Sequence, residues 1–116
     1  MPRIFIADVM CATATVLGVS LKAIKGDEPG RALAWPRMIA MAMAVELTHR
    51  DTQYIATRFR RDKTSIYKAQ KVVARAILSG ALSPDTLEAI RAEAAKICVA
   101  RIGMWKQVAK ELEGRV

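Results

Sequence analysis

An all-α fold, one compact domain of about five helices followed by a long C-terminal helix, follows from three features of the sequence. Apolar residues recur at three- and four-residue steps, no stretch sustains period-two alternation, and glycines, prolines and capping residues cut the chain at lengths that suit helices. Composition agrees. Of 116 residues 53% are apolar and only 5% aromatic, with Ala, Met and Leu prominent, a balance that favours helices over sheets. The length suits one domain, and the apolar share is ample for a core.

The first helix is expected from residue 2 or 3 to residue 17, stopped by Gly18. Ser20 caps a short helix over 21–25 that ends at Gly26, and GDEPGRALAWP reads as a loop. Pro36 suits the first turn of a third helix over 36–49, because its missing N–H costs nothing there. The stripe Ile39, Met43 and Leu47 faces inward, flanked by Ala40, Ala42 and Ala44. Asp51 or Thr52 caps a fourth helix over 53–59, and Asp62 a fifth over 63–78 with Ile66, Ala69, Val73 and Ile77 at helical spacing. Ser79-Gly80 ends it. A sixth begins after Ser83-Pro84 and runs to about Glu113, so the chain divides into a 1–80 helical unit and an 81–116 amphipathic helix.

Charge is concentrated in the middle. The chain holds 19 basic and 11 acidic residues, net +8. Residues 1–30 hold three of each, residues 31–80 ten against three, and residues 81–116 six against five. A local excess of +7 points to an anionic partner of that segment rather than to a general solubility device. Within it, residues 53–71 carry the pattern of a helix-turn-helix: a small residue, Ala56, then a turn at Arg60, then β-branched Ile66, with Ile55, Phe59 and Ala69 between the helices. Arg60 stands where a turn glycine is usual, so it must accept a left-handed or otherwise strained backbone. Seven basic residues and one acid lie between Arg58 and Arg75. Lys63, Thr64 and Ser65 lead the second helix, the part that enters the major groove in such motifs.

The stretch RALAWPRMIAMAMAVELTHRDTQYIATRFRRDKTSIYKAQKVV resembles the C-terminal DNA-binding domain of the bacterial replication initiator DnaA, its Trp-repressor-like domain IV. PRMIAMAMAVELT and RRDKTSIYKA stand at that family's signature segments, VLGVSLKAIKG resembles its short helical preface, and the likeness covers roughly residues 9–77. The resemblance implies that Arg31 enters the minor groove and that Arg37 meets the phosphate backbone. It implies contacts to bases and phosphates from Asp62, Lys63, Thr64 and Ser65, at a turn carrying Arg60 and Arg61, and a backbone contact from Lys68. The turn is one residue shorter than the family's Gly-Gly-Arg, Lys63 replaces histidine, Met38 replaces glutamine, and Gly26-Asp27-Glu28 replaces basic residues. Fold and duplex binding are therefore implied; the family's own DNA box is not.

Several classes are not expected. The longest apolar run, residues 38–45, is far short of the roughly 20 residues that span a bilayer, and Asp8 interrupts the apolar N-terminal stretch. No GxxxxGK[ST] loop occurs. One histidine, His49, and two distant cysteines, Cys11 and Cys98, offer no metal cluster or disulfide framework. Asp8, Asp51 and Asp85 show no paired-carboxylate spacing, so no catalysis, cofactor or metal is expected. The expected function is that of a small bacterial or phage-derived transcription regulator, cytoplasmic and nucleoid-associated, that binds promoter DNA. The alternative is a replication-control protein that binds or competes for origin sites. In the last helix Leu87, Ile90, Ala94, Ile97, Met104 and Val108 form a stripe interrupted at Arg101, with Trp105 and Leu112 widening it and Gly103 weakening it. That helix either covers the core or contacts a second copy or a transcription partner.

Overall fold

In the computed structural model, which describes residues 3–26 and 34–114, six helices follow one another and no strand occurs among the described residues. They are α1 (Ile6–Leu17), α2 (Leu21–Lys25), α3 (Ala34–Thr48), α4 (Thr52–Arg58), α5 (Lys63–Ser79) and α6 (Pro84–Glu113).

Local chemistry sets these boundaries. Side chains of Ser20, Asp51, Asp62 and Ser83 accept from the backbone N–H groups of Ala23, Tyr54, Ser65 and Asp85 at 3.1, 2.8, 2.9 and 3.2 Å. Each bond satisfies a donor that the first helical turn leaves without an intrahelical acceptor. At the other end of α1, Gly18 turns left-handed (φ 68°) and the Val19 N–H returns to the Ala14 carbonyl at 3.0 Å. Several boundaries differ from expectation. α1 starts at Ile6 rather than at residue 2 or 3, because Phe5 keeps an extended backbone (φ −94°, ψ 158°). α4 is shifted one residue toward the N-terminus, and α5 runs one residue further, to Ser79. α3 starts two residues early, so Pro36 occupies its third position, still within the turn whose N–H groups have no acceptor. It ends at Thr48 because His49 takes φ 56°, outside the helical region.

α3 is the hub: α1, α2, α4, α5 and α6 all pack on it. Ala40 and Ala44, both fully buried, let neighbouring backbones come close, while Ile39 and Met43 fill the space between. Ile24, Ile55, Phe59, Ile66 and Ile90 complete one continuous core. α6 belongs to that core, with Ile90, Ala94 and Cys98 buried and α1 as its main partner, so the first five helices and the start of α6 share a single interior.

Arg101 explains where this packing ends. Its Nη2 donates to Asp8 Oδ2 at 2.9 Å and to the Arg3 carbonyl at 2.9 Å, and its guanidinium lies 3.9 Å from the centre of the Phe5 ring. Asp8, 4% exposed, also accepts from the Phe5 N–H at 2.8 Å and so caps α1. The hydrogen bond to Asp8 raises the Arg101 pKa against the desolvation that lowers it. The arginine that breaks the apolar stripe is thus the charge that allows Asp8 to be buried. Beyond it the helix leaves the body of the domain: Met104, Trp105 and Leu112 are 58%, 62% and 58% exposed.

Candidate nucleic-acid interface

α4, the turn after it and α5 form the expected helix-turn-helix. Ala56 and Ile66 are fully buried against each other's helices, as are Ile55, Phe59 and Ala69. Small Ala56 matters because a longer side chain would hold α5 away from α4. The turn closes with two bonds, Arg60 N–H to the Thr57 carbonyl at 3.1 Å and Arg61 N–H to the Ala56 carbonyl at 2.9 Å. That pair is the double bond pattern in which glycine usually fills the left-handed position. Here Arg60 fills it, at φ 56°.

A left-handed backbone costs a residue bearing a Cβ about 1–2 kcal/mol, part of which glycine returns as chain entropy in the unfolded state. Arg60→Gly is therefore expected to stabilise the domain by about 0.5–1 kcal/mol while weakening its hold on duplex DNA. Thermal denaturation and a duplex titration on the same variant check both signs. A lowered midpoint would show that Arg60 makes contacts worth more than the strain.

The start of α5 presents its side chains unequally. Asp62 Oδ1 accepts from both the Ser65 N–H (2.9 Å) and the Ser65 hydroxyl (3.2 Å), so Ser65 is half-buried and engaged by the cap. Lys63 and Thr64 are exposed, as are Arg60, Arg61, Asp62 and Lys68. Lys63 and Thr64 therefore lead into solvent from the helix N-terminus, whose dipole itself attracts anions. Asp62 holds the cap through its carboxylate, one negative charge beside the positive charges of Arg60, Arg61, Lys63 and Lys68.

Beside that helix end lies a shallow depression of about 150 Å³, lined by Arg37, Met38, Met41, Arg61, Ser65 and Lys68. Sequence pattern does not single out Met41; it joins the depression because α3 packs on α5, and only its spacing from Met38 hints at a shared face. Arg37, which the resemblance assigns to the phosphate backbone, is largely enclosed. It is 9% exposed, and its Nε donates to the Ala23 carbonyl at the end of α2 across 3.2 Å. Its first task is to fix α2 on α3, and only its edge in the depression is available to a phosphate. Gly26 marks the same crowding: at φ 82°, a Cβ there would sit 2.9 Å from Arg61 Nη2 and 3.2 Å from Arg37 Nε. Arg31 lies outside the described residues.

The structure thus brings Arg37, Arg61, Ser65 and Lys68 together around the depression, with Asp62, Lys63 and Thr64 next to them at the start of α5, while Arg60 lines a separate cavity between α1, α2 and α4. Among the described residues no group of His, Cys, Asp and Glu is arranged to hold a metal ion, and no helix is long and apolar enough to cross a membrane. Cys11 and Cys98 are free thiols. Residues 6–73 match the family model described as the bacterial dnaA protein helix-turn-helix, which is a DNA-binding domain.

Proposed function

The chain belongs to the bacterial dnaA helix-turn-helix family, and we propose that it is a sequence-specific regulator of transcription that binds promoter duplexes through α5. The observation that carries this reading is the pairing of a reading edge with a phosphate clamp. Lys63 and Thr64 extend from the tip of α5, while Arg61 and Lys68 flank them around the depression on α3. Side chains at a recognition-helix tip discriminate bases, and the flanking cations hold the backbone in register. In this reading the protein is cytoplasmic and lies on the nucleoid. A protection assay on genomic fragments tests it. Promoter footprints are expected; footprints confined to a replication origin would favour the alternative, a protein that binds or competes for origin sites, and protection without preference would sink both.

The same reading makes a second copy of this chain the occupant of the far end of α6. Trp105 and Leu112 are exposed there among Lys106, Lys110, Glu111 and Glu113, a neutral and self-complementary set that would not repel its like. Two copies would present two recognition helices to two half-sites. Trp105→Glu is expected to abolish concentration-dependent sedimentation without lowering thermal stability. A wild-type chain that sediments as a monomer at every concentration would remove this part of the proposal.

A further inference from the structure

On the other side of the Arg60 turn, a cavity of about 420 Å³ opens between the start of α1, the end of α2 and α4. That volume is ample for a small organic molecule. Its rim carries Lys25, Arg50, Arg58 and Arg60, and no acid is among the described residues that line it. Its floor is apolar, formed by Ile4, Ile6 and Met10. Tyr54 stands on the rim, with the Arg50 guanidinium 4.6 Å and that of Arg58 5.5 Å from its ring centre, and the Tyr54 hydroxyl accepts from Arg58 Nη2 at 3.4 Å.

We propose that this cavity is a binding site for a small organic anion with an apolar body, its charged head held by Arg50, Arg58 and Lys25 and its body seated on Ile4, Ile6 and Met10. Four cations around one mouth repel one another, and the tyrosine ring face offsets only part of that repulsion. An anionic head relieves it. The apolar floor then selects among anions, because an inorganic ion or a DNA phosphate leaves that surface wet whereas a hydrocarbon or aromatic body covers it. Four segments distant in sequence supply the wall: the residues before and within α1, Lys25 of α2, Arg50 after α3, and Arg58 and Arg60 at the end of α4. Arg60 alone of these cations also adjoins the DNA-facing turn; the head is held by Lys25, Arg50 and Arg58, so the site can be tested without DNA.

The test uses the full chain and the fluorescent probe 8-anilinonaphthalene-1-sulfonate, which joins a sulfonate to an aromatic body, with inorganic sulfate as the head alone. One equivalent of probe is expected to bind saturably, with sulfate a poor competitor. Arg50→Gln is expected to weaken the probe about tenfold, as loss of one charge-assisted contact should. Ala7→Trp, at an exposed position on the cavity wall, is expected to fill the space and abolish probe binding while leaving the thermal transition in place. Should Ala7→Trp fail to fold, Arg50→Gln decides alone. Probe affinity unchanged in the variants, or sulfate displacing the probe as well as a second aromatic sulfonate does, would overturn the site. Displacement by a short duplex, with Ala7→Trp weakening that duplex, would equally overturn it and make the cavity part of the phosphate track.

Discussion

A chain cut after Gly80 is expected to lose its cooperative thermal transition. The cut removes Leu82, Ile90, Ala94 and Cys98, all buried in the interior shared with α1 and α3. Full burial of a Leu or Ile side chain is worth about 1.5–3 kcal/mol, so the four together supply about 5–8 kcal/mol. A domain of this size holds only about 5–15 kcal/mol in total. The cut also removes the Arg101 guanidinium that pairs with Asp8 and uncovers the face of α1 that packs on α6. A chain ending after Arg101 keeps all of these contacts and is expected to melt sharply. Circular dichroism melts of the two truncations check the contrast; a sharp transition in the shorter one would mean that α6 is not part of the core.

Exchanging both Arg61 and Lys68 for glutamate is expected to lower affinity for every duplex, specific or random, on the order of a hundredfold at moderate salt. Both side chains are exposed, so the fold should survive the exchange. Each lost phosphate contact should also flatten the dependence of log affinity on log salt by roughly 0.9. Arg37 is unsuitable for the same experiment, since its bond to the Ala23 carbonyl makes its loss a matter of folding as well as of charge. Anisotropy titrations at several salt concentrations give both numbers. An unaltered slope would place the phosphates elsewhere on the surface.

Most of the fold was legible because its signals are local. Asp62 caps the helix it precedes, Gly18 ends the one it follows, and Ala56, Arg60 and Ile66 hold their turn within a dozen residues. The same short-range logic marks Arg60 as a left-handed or otherwise strained position, and the structure gives it the left-handed form, at φ 56°. Contacts across the chain left no such trace. Nothing at Asp8 announces a partner 93 residues away, and Arg101 reads in sequence only as a flaw in an apolar stripe. The same holds for Arg37, which the resemblance assigns to the phosphate backbone but whose burial and bond to the Ala23 carbonyl are decided by tertiary packing. The cavity rim is a similar case. Lys25, Arg50 and Arg58 look like an unremarkable scatter of cations until α1 and α4 bring them to one mouth.

The central claim is that the tip of α5 reads bases, and discrimination by Lys63→Ala measures it most directly. The quantity is the ratio of affinities for a protected genomic fragment and for a shuffled duplex of the same composition, compared between the natural chain and the variant. The natural chain should prefer the protected fragment, and the variant should give up about 1–3 kcal/mol of that preference, the worth of one good base contact, while its affinity for shuffled DNA changes much less. Equal losses on both duplexes would make Lys63 a phosphate contact, and a natural chain with no preference to lose would contradict sequence reading by α5 altogether.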